Sequence, residues 1–361
     1  MKTTLLQLLP AFGFSLAAAM TLFPLFIRLS PVLGLVDIPN DRKLHKKPIP
    51  AIGGFVIGLC LLFTALCSSL MRDFIGEHKT MTLVLFVLII TGLLDDRFDL
   101  PVKLRLFIEL ASATAIAYAG IRIPSLHGFL GIYELPIVAQ YLLTIVIITG
   151  VTNAFNLMDG IDGLVGTTSL INVLVLIIIS LVTGNTAWLF FLLPLAIGLL
   201  VFLGYNWRPA KIFMGDSGSL MLGFVITVSG IYFIRTATFN LPAYSALFTV
   251  LVTACCMIPV IDALRVFYGR MKKGRSPFSA DKTHLHHLLL RHHLVHSAAT
   301  KRIVKAHVIL IVLSAIAIRF TSVSVVVAGQ ILFVILYAHV VKLMSYFQRW
   351  YRFIKKMEMA S

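Results

Sequence analysis

The sequence predicts an all-α, polytopic membrane protein, because of its composition and the length of its apolar stretches. Of the 361 residues, 59% are hydrophobic and 13% are charged, and the mean hydropathy is +0.95. Apolar stretches of about 20 residues, the length that crosses a bilayer core, recur along the chain. This composition excludes a water-soluble chain and predicts a single membrane-embedded domain over residues 1–361.

The first apolar stretch has two interpretations, a retained helix and a cleaved signal peptide. Lys2 precedes it and Ala17, Ala18 and Ala19 lie within it, as in signal peptides. The stretch continues to Ile27, however, well past the usual apolar region of a signal peptide. We therefore predict a retained helix.

Eleven stretches are predicted to span the membrane, and ten is the alternative count because Thr80–Leu94 and Pro136–Gly150 are short. In chain order the predicted spans are Thr4–Ile27, Ala51–Met71, Thr80–Leu94, Val102–Gly120, Pro136–Gly150, Leu164–Thr183, Ala187–Gly204, Ser217–Ile234, Ala243–Leu264, Ile303–Ile318 and Ser322–Met344.

The basic residues predict the orientation of these spans. When loops are assigned to alternate sides, 25 of the 31 lysines and arginines fall on one face. The 6 on the other face are Lys2, Arg72, Lys79, Arg122, Arg235 and Arg319. The positive-inside rule then places the N-terminus outside and the C-terminus in the cytoplasm.

The net charge of +16 is explained mostly by anionic membrane lipid and by the insertion machinery. Some of the lysine and arginine side chains are expected to bind anionic substrates. Nucleic acid is not an expected partner. The cysteines lie in apolar spans without metal-ligand spacing, so we interpret them as packing residues. They are Cys60, Cys67, Cys255 and Cys256.

One polar stretch, NAFNLMDGIDG at 153–163, interrupts the apolar runs between the fifth and sixth predicted spans. It places Asn153, Asn156, Asp159 and Asp162 where unpaired polar groups are costly. Asn156 and Asp159 share a face if the segment is helical. A capped helix break is the alternative, but it needs fewer polar side chains. The stretch therefore indicates a functional site.

A second acidic cluster, DDRFD, ends the third predicted span on the same predicted face. Asp95, Asp96 and Asp99 repel one another, so we expect a divalent cation, most simply Mg²⁺, or an ammonium group to neutralise them. Lys103 or Arg105 could hold a diphosphate. The pattern also occurs at solvated helix ends and in membrane prenyltransferases.

A third motif, FMGDSGS, precedes the eighth predicted span on the inner face. Asp216 is placed either to cap that helix or to ligate a metal at its N-terminus. Phe213 either packs or offers its ring to an aromatic base.

The longest inner loop, 265–302, is basic and rich in histidine. Asp262 precedes it and is expected to form a structural pair with Arg265. Zinc ligation by the histidines lacks complementary cysteine or carboxylate spacing, so recognition of phosphate and sugar is favoured. The histidines concerned are His284, His286 and His287.

The four motifs occur in the order that is typical of the polyprenyl-phosphate N-acetylhexosamine-1-phosphate transferase family, and the chain resembles this family from about Gly34 to Arg291. Each motif alone is weak, but the ordered set is specific. The forms DDRFD, NLMDGIDG and SPFSADKTHLHHL are similar to the branch that moves GlcNAc-1-phosphate from UDP-GlcNAc to undecaprenyl phosphate. The branch that uses UDP-MurNAc-pentapeptide is less similar, since it typically has lysine at the position of Asp99.

The resemblance implies a multi-pass enzyme of the bacterial inner membrane, with a periplasmic N-terminus and a cytoplasmic active site. It further implies a requirement for Mg²⁺ or Mn²⁺, release of UMP, and a role in starting O-antigen or enterobacterial common antigen synthesis. The implied catalytic residues are Asp95, Asp96 and Asp159, and the implied metal ligands are Asp216 and Asn156. The implied substrate-binding residues are Lys46, Asp99, Arg105, Asn153, Asp162, Phe213, His284, His286 and His287, with Phe213 stacking on uracil.

The chemistry of such a reaction agrees with these residue types. A lipid phosphate and a nucleotide diphosphate repel each other, so catalysis must cancel charge before in-line attack on the β-phosphorus. Direct attack is favoured over a double displacement through an aspartyl nucleophile.

Two other protein classes are weaker interpretations. A cation-coupled transporter would place its ionisable groups near the midplane and within an inverted repeat. An aromatic prenyltransferase would need two DDxxD-like motifs and would leave FMGD and HLHH unexplained. The sequence leaves the donor sugar and a homodimer open, and it shows no heptad or GxxxG face.

Overall fold

The structure, a computed structural model, describes residues 2–39, 47–207, 209–276, 283–290 and 295–358. These residues form a bundle of helices. The helices are α1 (Lys2–Leu33), α2 (Gly53–Cys67), α3 (Ser69–Glu77), α4 (Lys79–Phe98), α5 (Val102–Tyr118), α6 (Ile137–Met158), α7 (Leu164–Val182), α8 (Leu189–Asn206), α9 (Gly215–Asn240), α10 (Pro242–Met271), α11 (Leu285–Leu290), α12 (His296–Ala317) and α13 (Val323–Glu358).

Two short antiparallel strand pairs accompany the helices in the described residues. Strand β1 (Val36–Asp37) pairs with β2 (Ile49–Pro50), and β3 (Ser125–Phe129) pairs with β4 (Ile132–Glu134). They connect helices and leave the helical character of the fold unchanged.

Seven of the described helical segments are long and apolar enough to cross a membrane, and the bent pair α2–α3 makes an eighth if it is counted as one span. The seven are Leu9–Leu33, Ile137–Met158, Leu164–Val182, Thr186–Asn206, Gly215–Asn240, Pro242–Met271 and Val323–Met344. The chain is therefore an all-α, multi-pass membrane protein. The count of eleven spans and the orientation of the termini stay predictions.

The predicted span Ala51–Met71 is not one straight helix. Helices α2 and α3 meet at an angle of 110°, and Ser68 between them has extended backbone angles. The Ser68 hydroxyl accepts a hydrogen bond from the backbone N–H of Met71 (3.4 Å) and so caps α3. The guanidinium of Arg72 donates to the carbonyl of Leu66 (2.8 Å), near the end of α2.

Helix α6 continues beyond the predicted span Pro136–Gly150 and ends at Met158. The apolar character continues through its last turns, in which Val151, Ala154 and Phe155 are buried. The first half of the NAFNLMDGIDG stretch is therefore helical.

Helix α9 lies at the centre of the bundle. In its most apolar window, 94% of the residues are buried, and α2, α4, α6, α7 and α10 pack against it. A Cβ atom at Gly54 would lie 2.0 Å from Cα of Gly218, and one at Gly92 would lie 2.2 Å from the backbone nitrogen of Ser217. Glycine therefore allows the start of α2 and the end of α4 to touch the start of α9.

The segment before α9 is fixed by backbone hydrogen bonds. The N–H of Phe213 donates to the carbonyl of Pro50 (2.7 Å), and the N–H of Gly53 donates to the carbonyl of Phe213 (2.9 Å). The N–H of Gly54 donates in the same way to the carbonyl of Met214 (2.9 Å). The FMGD motif is thus held next to the first turn of α2.

Replacing Gly92 by alanine is expected to destabilise the protein by at least the roughly 1–3 kcal/mol that overpacking costs, because the new methyl group meets the backbone of Ser217. The measurement is the apparent melting temperature of the purified protein in detergent. Gly204→Ala is the matched control, since a Cβ atom at Gly204 has no neighbour within 4 Å. Equal melting temperatures for the two variants would contradict the close contact between α4 and α9.

Candidate active site

The second carboxylate of the DDRFD motif caps helix α9 from a neighbouring helix. Oδ1 of Asp96 accepts a hydrogen bond from the backbone N–H of Asp216 (3.0 Å), and Oδ2 accepts one from the N–H of Ser217 (3.4 Å). These donors lie in the first turn of α9, where N–H groups lack partners within the helix and negative charge is favoured. Asp216 lies inside this turn, after the N-cap residue Met214, so it is not the cap of its own helix.

Arg105, near the start of α5, joins carboxylates from two other helices. Its Nη1 atom lies 2.5 Å from Oδ2 of Asp95 and 3.5 Å from Oδ2 of Asp216. The backbone N–H of Leu100 donates to Oδ1 of Asp95 (2.8 Å) and fixes that carboxylate from its other side. An arginine keeps its charge in proteins, so the guanidinium offsets the repulsion between the two carboxylates.

A further carboxylate, Glu109, lies one helical turn beyond Arg105. Its Oε1 atom is 3.7 Å from Nε of Arg105, and its Oε2 atom accepts a hydrogen bond from Nδ2 of Asn153. The Asn153 amide also donates to the carbonyl of Thr149 (3.1 Å). Helices α5 and α6 are thus joined through polar groups.

The end of the NAFNLMDGIDG stretch lies beyond helix α6. Burial, together with the charges of Asp96 and Asp162, raises the pKa of the Asp159 carboxyl to about 7. Oδ1 of Asp162 lies 3.2 Å from Nδ1 of His296, and Thr300 donates to the Asp162 carbonyl (2.7 Å). Residues at the start of α12 therefore fix the position of Asp162. A cation close to Asp159 would favour the ionised form of the Asp159 carboxyl.

Asp262, in α10, holds the start of α11. It accepts a hydrogen bond from Nη2 of Arg265 (2.7 Å) and one from the backbone N–H of Leu285 (3.1 Å), and its Oδ2 atom lies 3.0 Å from Nδ1 of His284. The predicted pair with Arg265 is confirmed. The same carboxylate also docks the histidine segment, which the sequence places 22 residues away.

His286 faces the turn that follows α6. A Cβ atom at Gly160 would lie 2.4 Å from Nε2 of His286, so glycine is needed for this approach. Burial, with a smaller contribution from His287, lowers the pKa of His286 to about 3. Its imidazole is therefore neutral near pH 7 and acts there as a hydrogen-bonding group rather than as a cation.

A cavity of about 660 Å³ lies between α5, α6, α10 and α11. Along α6 its lining changes from apolar at Val146 and Ile147 to polar at Asn153 and Asn156. The polar and charged lining residues are Arg105, Thr149, Asn153, Asn156, Asp159, Arg270, His284, His286 and His287. The apolar ones include Val102, Leu106, Val151, Leu157, Val260, Leu264 and Phe267. The cavity therefore suits an amphipathic ligand with an anionic head.

The structure brings most of the predicted site residues together. Asp95, Asp96, Arg105 and Asp216 form one contact network, and Arg105 shares the cavity with Asn153, Asn156, Asp159, His284, His286 and His287.

Three of the predicted residues that the structure describes lie outside this group. Asp99 is exposed at the end of α4, where its backbone has a positive φ of 52°. Asp162 pairs with His296, and the backbone of Phe213 hydrogen-bonds to β2 and to the start of α2. Lys46 lies outside the residues that the structure describes. The roles predicted for these residues, and for those above, stay predictions.

The donor chemistry of the site fits a divalent cation of the Mg²⁺ type. Carboxylate and carboxamide oxygens, which Mg²⁺ prefers, belong to Asp95, Asp96, Asp159, Asp216 and Asn156. The buried Nδ2 atom of Asn156 has no hydrogen-bond partner among the described residues; as a donor it suits an oxygen of a ligand, whereas only Oδ1 of this amide can ligate a cation. In the same part of the chain no three His, Cys, Asp or Glu side chains form a group that could hold a metal ion. Mg²⁺ commonly binds to one or two carboxylates and to substrate phosphates, which agrees with this arrangement.

Sequence reasoning missed two functional candidates, Glu109 and Arg270. Glu109 lies within the apolar predicted span Val102–Gly120, and a lone carboxylate within such a span is itself a signal of function. Arg270 lies within the predicted inner loop 265–302, but α10 continues to Met271 and places Arg270 in the cavity wall. The Arg270 residue is 5% exposed.

Comparison with known proteins gives consistent matches. The model of glycosyl transferase family 4 matches residues 79–234. The probable undecaprenyl-phosphate N-acetylglucosaminyl 1-phosphate transferase of Bacillus subtilis (strain 168) is 30% identical, over 81% of this chain and 80% of that protein. The undecaprenyl-phosphate alpha-N-acetylglucosaminyl 1-phosphate transferase of Yersinia pestis is 32% identical, over 86% and 85%. The corresponding Escherichia coli (strain K12) protein is 32% identical, over 75% and 73%.

Replacing Asp262 by asparagine is expected to loosen α11, because Arg265 and His284 lose the carboxylate that they share. Removing one partner of a buried ion pair costs roughly 3–5 kcal/mol. Hydrogen exchange of the backbone amides in 285–290 measures the effect, and their protection is expected to fall. Asp73→Asn, at an exposed position of α3, is the control. Unchanged exchange in the Asp262 variant would show that other contacts dock the segment.

Proposed function

Because this chain belongs to glycosyl transferase family 4 and is a sugar-phosphate transferase of the undecaprenyl-phosphate type, we propose that it transfers GlcNAc-1-phosphate from UDP-GlcNAc to undecaprenyl phosphate. The products are undecaprenyl-diphosphate-GlcNAc and UMP. The observation that carries the proposal is the cavity of about 660 Å³, whose lining changes from apolar to polar and charged.

The two parts of this lining match the two parts of a polyprenyl phosphate. The prenyl chain is apolar and packs against residues such as Val146, Val260 and Leu264. The phosphate lies at the polar part, near the guanidinium of Arg105. The acceptor phosphate thereby reaches the network of Asp95 and Asp216 without leaving the membrane surface.

Charge is the main obstacle to the reaction, because an anionic acceptor attacks an anionic donor. Arg105 and Arg270 line the same cavity and supply fixed positive charge. Neutral His286 and its neighbour His287 offer hydrogen bonds to diphosphate or sugar oxygens. These groups position both substrates for direct in-line attack on the β-phosphorus.

Asp95 positions the Arg105 guanidinium rather than removing a proton from the acceptor. Its two oxygens are engaged by Arg105 and by the N–H of Leu100. A phosphate monoester is largely ionised near neutral pH, since its second pKa is about 6, so the acceptor needs little help from a base. Asp95 sets the direction of the Arg105 guanidinium, and Asp96 fixes the start of α9.

Mg²⁺ or Mn²⁺ completes the proposed site. Asp216 and Asn156 are the proposed protein ligands, with Asp159 close by. When bound, the ion neutralises phosphate charge that the two arginines leave uncompensated. Asp162 and Phe213 are proposed to contact the uracil base.

We place this reaction at the cytoplasmic face of a bacterial inner membrane, where nucleotide sugars are made. The excess of basic residues on the face that carries the DDRFD and FMGD motifs supports this orientation. The product is the lipid-linked sugar from which O-antigen or enterobacterial common antigen is assembled.

The purified protein, given undecaprenyl phosphate, radiolabelled UDP-GlcNAc and Mg²⁺, is expected to move label into the organic phase and to release UMP. Removal of the metal with EDTA and the substitution Asp216→Ala are each expected to lower the rate at least about 100-fold, since both remove charge stabilisation at the reacting phosphates. Asp73→Ala, at an exposed position in the middle of α3, is the matched control and is expected to keep full activity.

The possible outcomes separate the parts of the proposal. Transfer from UDP-GalNAc but not from UDP-GlcNAc would retain the reaction and overturn the donor. Full activity in EDTA would overturn the metal requirement. Absence of transfer from every nucleotide sugar would refute the proposed reaction and favour a transporter.

A further inference from the structure

Glu109 is the carboxylate most fully withdrawn from solvent among those that contact Arg105. Its side chain is 1% exposed, whereas that of Asp95 is 5% exposed and that of Asp216 is 34% exposed. Burying a carboxylate costs free energy unless charged or hydrogen-bonding partners compensate for the lost water. An apolar residue would pack at this position in α5 without that cost, so the carboxylate calls for an explanation.

The two partners of Glu109 both line the cavity, but Glu109 itself does not. Arg105 and Asn153 belong to the cavity lining, on α5 and α6 respectively. Glu109 lies behind them, with one oxygen directed to each partner. Glu109 therefore contacts two residues of the cavity lining from outside the cavity.

The contacts determine which atoms of the partners are left for a ligand. The ion pairs of Arg105 use Nη1, toward Asp95 and Asp216, and Nε, toward Glu109. Nη2 carries none of these three pairs. The Nδ2 group of Asn153 donates to Glu109 and to the Thr149 carbonyl, so Oδ1 is the remaining polar atom of that amide.

We propose that Glu109 is a positioning residue, which sets the orientation of Asn153 toward the phosphates of the substrates. This inference rests on the proposed transfer reaction. Glu109 touches neither substrate. It acts by hydrogen-bond acceptance at a fixed distance from α6, and the length of its side chain matters more than its charge.

Two conservative substitutions separate length from charge. Glu109→Gln keeps the side-chain length and one accepting oxygen, and it is expected to keep kcat/KM within about threefold of the wild type, because a neutral acceptor still holds Asn153. Glu109→Asp keeps the charge but withdraws the oxygens by one methylene. It is expected to lose roughly 10- to 100-fold in kcat/KM, since small misplacements of positioning groups are that costly. Ser112→Ala, at the next buried polar position of α5, is the matched control.

A double substitution tests whether Glu109 acts through Asn153. Asn153→Ala alone is expected to lose activity, and Glu109→Asp combined with Asn153→Ala is expected to lose no more than the larger single effect, because residues of one network are non-additive. The measurement is the transfer of radiolabel to undecaprenyl phosphate, together with the melting temperature of each variant. Melting temperatures near that of the wild type for Glu109→Asp show that the loss is one of positioning and not of folding.

Each result has a defined meaning. Activity of Glu109→Asp equal to that of the wild type, or losses that multiply in the double variant, would overturn the inference while leaving the transfer reaction intact. Equal losses in Glu109→Gln and Glu109→Asp would show that the charge is required as well as the side-chain length, which also overturns it. Inactivity of the wild-type protein would refute the reaction and the inference together.

Discussion

The site depends on one guanidinium that joins carboxylates from three helices. Arg105 contacts Asp95 of α4, Glu109 of α5 and Asp216 of α9. Buried charges in a membrane protein are costly unless they are paired, so this network is possible only if the ends of the three helices meet. The remaining features of the fold can be understood as the means by which they meet.

Helices α4 and α9 approach each other closely because glycine, which has no side chain, lies at their contact. At Gly92 no Cβ atom fits between α4 and the backbone of Ser217. Because the helices touch there, Asp96 reaches the unpaired N–H groups at the start of α9 and caps them. Gly92 therefore allows Asp96, one turn later in α4, to reach the start of α9. The same contact caps α9 and brings the carboxylates of the site together.

The cavity combines groups that come from distant parts of the sequence. Helices α5 and α6 supply Arg105 and Asn153, and α10 supplies Arg270. The histidines reach the same cavity because Asp262 docks the start of α11. Apolar side chains of α5, α6 and α10 complete the wall, so the polar groups lie directly beside an apolar surface.

The sequence by itself determined the membrane class, the helical character and the motifs, since composition, apolar run length and clustered carboxylates are local properties. It identifies Asp95, Asp96, Asn156 and Asp216 as site candidates and leaves Asp216 open between a helix cap and a metal ligand, whereas the structure shows Asp96 as the cap of α9. Glu109 and Arg270 were missed because burial behind or within a cavity wall is not visible in local sequence. Only the tertiary structure decided which helix ends meet, because contacts between residues more than 100 positions apart depend on side-chain packing and charge pairing across helices.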